Sequence, residues 1–260
     1  MELYGGWSAL LYDSHPFRVQ GEEEFYIQEA QQLGSPILEL GSGTGRLLIP
    51  VAKSGSEIHG LDLSEDMLNI TRGKIEKLDD ATQKRIHLTQ GDMRDFKFEQ
   101  RFKLITIPFR AFLHILTVED QKKTLQNILE HLAEDGKLIL DAFDPKLELI
   151  NSNLGYQSSR LKQMTELVHP VSGNQVFVWY STTYNLEDQL INEIWIYEEI
   201  EDDGNVIRRQ YVPLKVRFVY RYEMQHLLDL CGFKIDSLYG NYNREDYFHG
   251  GEQIWVCSRA

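Results

Sequence analysis

An α/β fold built on a doubly wound, mostly parallel sheet of seven strands is what the sequence predicts, from three observations. Between residues 36 and 142 short apolar runs alternate with stretches of helical periodicity, a glycine-dense turn follows the first run, and the second run closes on an acid, Asp62. Short runs dominated by apolar residues, such as Ile37, Leu38 and Leu40, fit strands buried on both faces, as parallel strands are. Right-handed crossovers then gather the carboxyl ends of those strands on one edge, where ligands bind in such sheets.

In order, Tyr4, Trp7, Leu10, Leu11 and Tyr12 recur at helical spacing until Asp13, Ser14, His15 and Pro16 break the pattern. A second helix opens at Gly21 with Glu22, Glu23 and Glu24 in its first turn, where the helix dipole favours acids. Strand one is expected at 37–40. The helix after it is expected from about residue 44 to 53, kinked or shortened by Pro50, which lacks an N–H. Strand two spans 58–62, and Ser64 reads as the N-cap of a helix carrying Met67, Leu68, Ile75 and Leu78 on one face. Strands three and four fall at 85–90 and 102–107. Val118, Leu125, Ile128, Leu129 and Leu132 mark a further helix, which residues 134–136 are expected to end before strand five at 137–141.

Residues 143–220 abandon the alternation. Three runs there, about 174–186, 190–201 and 206–220, are rich in Val, Ile, Trp, Tyr and Phe and predict an inserted antiparallel sheet. A helix at 222–230, stopped by Gly232, and strands at 233–238 and 253–257 complete the sheet. The expected organisation is a helical N-terminal segment 1–35, a core of 36–142 with 221–260, and an insert of 143–220.

Composition narrows the partners. A net charge of −13 leaves no Lys/Arg surplus to neutralise a phosphate backbone, so nucleic acid is not expected. Two cysteines, Cys231 and Cys257, form no metal-type pair and fit a reducing cytoplasm. No run approaches the ~18 apolar residues of a membrane span. The expectation is a soluble cytoplasmic protein, monomer or homodimer, acting on a small molecule.

The turn decides which ligand. Glycines at 41, 43 and 45 let a ligand approach the backbone and leave N–H groups at the following helix to face it; an acid about 20 residues on suits a ribose. The dinucleotide fingerprint needs its third glycine at 46, where Arg46 stands, so a pyrophosphate fits the spacing poorly. Glu39 to Gly45, reading Glu-x-Gly-x-Gly-x-Gly, resembles motif I of the class I S-adenosylmethionine-dependent methyltransferases, whose sheet is Rossmann-like. The resemblance continues through Asp62 and through Asp92 and Met93 after strand three. It implies that the loop of Glu39, Gly41, Ser42 and Gly43 holds the amino-acid end of S-adenosylmethionine, that Asp62 holds the ribose, that Asp92 and Met93 hold the adenine, and that Leu63 and Met67 also bind the cofactor. S-adenosylhomocysteine is then the product. Arg46 is expected to pair with the cofactor carboxylate, and Phe109 to lie near the adenine or the methyl, with core packing as its alternative. Tyr12 is expected as a lid residue or as surface-helix packing. In relatives the inserted sheet roofs the substrate cavity.

Methyl transfer is an in-line displacement at carbon, in which alignment supplies much of the rate; no nucleophilic triad or metal cluster is required. A protonated acceptor needs a base. His114, just past strand four, is the best candidate, against the alternative of a structural histidine capping the next helix; His249 and Tyr242 are weaker candidates. The Asn/Asp-Pro-Pro-aromatic tetrad of base and amide methylases is missing, since the chain reads Ile107, Pro108, Phe109. The resulting expectation is methyl transfer to N or O of a small metabolite, with a cofactor-binding regulator or scaffold and a nicotinamide-dependent oxidoreductase as alternatives.

Overall fold

A computed structural model describes residues 4–16, 18–154 and 160–260. Residues 155–159 of the expected insert therefore lie outside the described residues. The chain divides into two units, Val19–Pro145 with Phe218–Ala260 and Met1–Arg18 with Lys146–Arg217. The first boundary thus falls at residue 18, not 35. The helix Glu22–Leu33 belongs to the larger unit because Phe25, Tyr26 and Ala30 are buried in one apolar cluster with Ile37, Ile58 and Leu104 of the sheet.

In chain order the elements begin with α1 (Gly6–Leu11) of the smaller unit, then α2 (Glu22–Leu33), β1 (Ile37–Leu40) and α3 (Leu48–Lys53). There follow β2 (Ile58–Asp62), α4 (Glu65–Ile75), α5 (Asp80–Gln83), β3 (Ile86–Gln90), β4 (Phe102–Ile107), α6 (Val118–His131) and β5 (Leu132–Phe143). The smaller unit resumes with α7 (Leu147–Ser152), β6 (Lys162–Val168), β7 (Gln175–Asn185), β8 (Leu190–Ile200) and β9 (Val206–Arg217), and the larger unit closes with α8 (Arg221–Leu230), β10 (Phe233–Tyr239) and β11 (Glu252–Arg259).

The seven-stranded sheet runs β10-β11-β5-β4-β1-β2-β3. Strands β5 to β3 pair in parallel, and β11 is antiparallel to both of its neighbours. Because β1 lies between β2 and β4, chain progression reverses beside it, and the turn that leaves β1 opens at the switch point where a crevice forms.

Two local differences from expectation have physical causes. Helix α3 starts at Leu48 rather than residue 44, since Gly45 adopts a left-handed φ of 76°. Pro50 then falls in the first turn, where a missing N–H has no helical partner to lose. Helix α6 stops at His131 and β5 begins at Leu132, six residues after which Leu138 pairs with Ile105. A side chain at Gly136 would press on the carbonyl of Phe102, at 2.9 Å, so this glycine lets β5 lie close against β4. Gly232 stops α8 as expected, with φ 87°.

The smaller unit holds a four-stranded antiparallel sheet, β6-β7-β8-β9. Its first strand escaped the sequence reading because Lys162–Val168 buries only Leu167. Trp7 and Leu11 pack with Leu167, Val176, Val178 and Tyr197. His15 Nε2 lies 3.0 Å from the Tyr197 hydroxyl. The indoles of Trp179 and Trp195 donate to Glu198 and Glu193, each at 2.8 Å. Among the described residues no helix is long and apolar enough to cross a membrane.

Candidate functional site

The site is built on the turn after β1. Gly41, Gly43 and Gly45 all hold positive φ (74°, 53° and 76°), which side chains resist. A Cβ at Gly41 would stand 2.9 Å from that of Ala111 and 3.6 Å from Met93 Cε, whereas one at Gly43 would meet nothing within 4 Å. The turn is therefore packed at its base and open at its apex.

Four amides of the turn itself are engaged within the chain. Gly41 and Ser42 donate to the carbonyl of Leu61 (2.8 and 3.1 Å), Gly43 donates to Asp62 Oδ2 (2.7 Å), and Gly45 donates to the carbonyl of Ser42 (3.0 Å). From the other side Thr71 Oγ1 donates to the Gly43 carbonyl at 2.8 Å, and Lys74 Nζ to that of Thr44 at 2.7 Å. What remains is the Ser42 hydroxyl, buried and without a hydrogen-bond partner.

Carboxylates surround this turn. Asp62 is fixed by the amides of Gly43 and of Ser64, the latter reaching Oδ1 at 2.8 Å. Burial raises its pKa although those amides oppose the shift. Glu39, at the end of β1, is 3% exposed, and burial pushes it up to about 8, with Arg46 opposing and Glu22 and Asp62 adding to the rise. Four spent amides and an acceptor carboxylate at Asp62 suit a ligand that brings hydroxyls.

Several expected contacts are redirected within the chain. The Arg46 guanidinium grips Glu22 with two bonds (2.6 and 3.0 Å) and lies 4.5 Å from the centroid of the Phe109 ring. The cause is Glu22, which is buried at the start of α2 and needs a countercharge. Asp92 is likewise taken by Arg94, whose Nη2 and Nε donate to it at 2.5 and 3.0 Å and hold its carboxyl below the usual range. Met93 stays beside the base of the turn, Met67 is buried under it in α4, and Leu63 is exposed. Tyr12 lies in the smaller unit, edge-on to Tyr4 at 5.7 Å.

After β4 the backbone of Phe109 and Arg110 turns left-handed twice in succession, with φ 54° and 65°. Asp141, 1% exposed at the end of β5, holds that pair: Oδ2 accepts from Phe109 N (2.9 Å) and Tyr26 (3.1 Å), and Oδ1 from Arg110 N (2.7 Å). Burial, with Glu22 and Glu252 adding, raises Asp141 to about 7. The Arg110 side chain in turn pairs with Glu252. His114 closes the short helical turn Ala111–His114 that follows. It does not cap α6; Thr117 does, accepting from Asp120 N at 3.1 Å. His249 is paired with Asp144 at 2.7 Å and Tyr242 is buried in the apolar cluster.

Asp141 and Glu22 were missed by sequence reasoning. For Asp141 no signal existed, since a strand-end acid is ordinary. Glu22 did carry one: it precedes Phe25 and Tyr26 by three and four residues, on the face that is buried.

Residues 37–136 match the family model described as "Methyltransferase domain". The dTDP-3-amino-3,4,6-trideoxy-alpha-D-glucopyranose N,N-dimethyltransferase of Streptomyces venezuelae is 34% identical over 107 residues, 41% of this chain and 42% of that protein. The chain spans about half the length of the curated relatives it matches first. In structure it is similar to the CcbJ methyltransferase from Streptomyces caelestis, with TM-score 0.81, 20% identity and coverage of 99% and 98% of the two chains. It is also similar to CalS10, a SAM-bound amino pentose methyltransferase from Micromonospora echinaspora, with TM-score 0.69, 19% identity and coverage of 100% and 99%.

Proposed function

We propose that this chain, a member of the class I S-adenosylmethionine-dependent methyltransferases, transfers methyl groups from S-adenosylmethionine to the amine nitrogen of a small metabolite of the amino-sugar type. One observation carries the choice of cofactor: the amides of Gly41, Ser42 and Gly43 are spent on Leu61 and Asp62, and the open apex at Gly43 stands beside the Asp62 carboxylate. A dinucleotide pyrophosphate finds the amides of Gly41, Ser42, Gly43 and Gly45 already taken. A methionyl ammonium and a ribose diol find acceptors. Support for nitrogen over oxygen comes from the 34% identical relative, an N,N-dimethyltransferase.

In this reading Ser42 and the open face of Gly43 receive the amino-acid end, and Asp62 accepts from the ribose hydroxyls with Met67 behind it. Glu39, which burial keeps protonated up to about pH 8, stands at the end of β1 beneath the turn as a neutral polar group. Met93 packs against the adenine side. Arg46 acts indirectly, by neutralising Glu22 and bracing the Phe109 ring. When bound, the sulfonium supplies a methyl group activated for displacement. The chain's own contribution is alignment and exclusion of water, which at best is worth about 7–11 kcal/mol. An amine that arrives protonated must give up its proton before attack, and His114 is the residue assigned to take it.

The test is direct. S-adenosylhomocysteine should raise the melting temperature and NAD should not. Purified chain incubated with labelled cofactor and aminodeoxysugar nucleotides should yield product heavier by one methylene, while hydroxyl analogues stay unchanged. His114→Ala should lower turnover with cofactor affinity retained. Stabilisation by cofactor without product from any amine or hydroxyl acceptor would reduce the protein to a binding module.

A further inference from the structure

We infer that Glu57, His59 and His87 form a binding site for a borderline divalent transition-metal cation of the zinc type, at the amino-terminal ends of β2 and β3. The register of the sheet creates it. His59 and His87 are paired residues of adjacent parallel strands, so both side chains stand on one face, and their rings stack 4.5 Å apart at 29°. Glu57, two residues before His59, shares that face. Its backbone is anchored on both sides: the N–H donates to Ser35 Oγ (2.8 Å) and the carbonyl accepts from Ile37 N (3.0 Å).

Distances distinguish a coordination site from a hydrogen-bonded cluster. The Nε2 atoms of His59 and His87 lie 3.5 and 3.6 Å from one and the same oxygen, Oε1 of Glu57. All three candidate ligand atoms fall within 4.8 Å of one another. Hydrogen bonds between such groups run about 2.7–3.2 Å, so these pairs are too long to be bonded to each other. Bonds of about 2.0–2.1 Å from a tetrahedral centre place ligand atoms roughly 3.4 Å apart, close to the two separations from Glu57 Oε1. The ligand types, two imidazoles and a carboxylate, suit zinc and its neighbours rather than magnesium or calcium.

The surroundings favour occupation. Phe98 and Phe102 stand edge-on to the His59 ring at 5.9 and 5.4 Å and fix its orientation. Gln100 Nε2 now sits 2.9 Å from His59 Nε2. Its amide must swing aside or turn its oxygen inward, and in the second case it becomes a fourth ligand. The site lies at the strand ends opposite the glycine turn, so its role is to clip β2 to β3 and not to take part in methyl transfer. It stands independently of the proposed activity.

The probe is the metal alone. Untagged, chelator-stripped chain is titrated with Zn2+ by calorimetry and with Co2+ by visible absorption. One site of micromolar or tighter affinity is expected, with cobalt d–d bands, and saturating zinc should raise the melting temperature. His87→Ala and Glu57→Gln alter side chains that are 47% and 49% exposed, and circular dichroism checks that both variants fold. Each should weaken zinc binding by at least about ten-fold and abolish the thermal shift. Absence of saturable uptake up to millimolar zinc, or equal affinity in wild type and His87→Ala, overturns the inference.

Discussion

Asp141→Asn isolates what holds the loop after β4. The change keeps the shape of the side chain but turns one acceptor into a donor. In one orientation the amide NH2 faces Arg110 N, now bonded at 2.7 Å; in the other it faces Phe109 N, now at 2.9 Å. Either way a buried amide loses its acceptor. Hydrogen bonds to charged groups are worth about 1.5–3 kcal/mol, and a stranded buried donor costs about 1–3 kcal/mol. The gain from no longer burying a carboxylate offsets part of this, so a net loss of about 2 kcal/mol is expected, a fall in melting temperature of about 4–8 °C for a chain of this size. Urea denaturation at constant m supplies the number, and hydrogen exchange of residues 105–115 supplies the location. Unchanged stability, or lost stability with full protection of the Phe109 and Arg110 amides, would refute the claim that Asp141 holds the left-handed pair.

Three further outcomes follow from the turn. Asp62→Ala removes the acceptor of Gly43 N and Ser64 N and should weaken S-adenosylhomocysteine binding by about ten- to a hundred-fold in calorimetry; an equal dissociation constant would detach Asp62 from the cofactor. Ser42→Ala deletes a buried hydroxyl without a partner, so the free protein should be as stable or up to about 1 kcal/mol more stable, with a smaller thermal shift on adding S-adenosylhomocysteine. Glu39 is raised from 4.5 to about 8 and Asp141 from 3.8 to about 7, so between about pH 4 and 8 the folded chain keeps protons that the unfolded chain has released. Stability should therefore fall as pH rises through that window, and Glu39→Gln should flatten the fall; a slope of opposite sign in urea midpoints would contradict it.

The parallel part of the sheet was legible because most of its strands are short runs rich in apolar residues, with β1, β2 and β4 closed by Gly41, Asp62 and Pro108. Strand β6 was not, because an edge strand with one buried residue carries no period. Of the site, sequence supplied the turn and Asp62, whose spacing is a local property of one strand–turn–helix–strand unit. It could not supply the partners that arrive from elsewhere in the chain. Glu22 reaches Arg46 and Asp141 reaches Phe109 across 24 and 32 residues, and Leu61 consumes amides that the local pattern offers to a ligand.

The glycine turn is laced from both directions, its amides to β2 and its carbonyls to Thr71 and Lys74 of α4. Its shape is thus fixed when the chain folds, and an incoming nucleoside has no loop to order. Association at this end should be a simple encounter: one exponential phase in stopped-flow fluorescence, an observed rate that climbs linearly with ligand without levelling off, and little dependence on viscosity beyond diffusion.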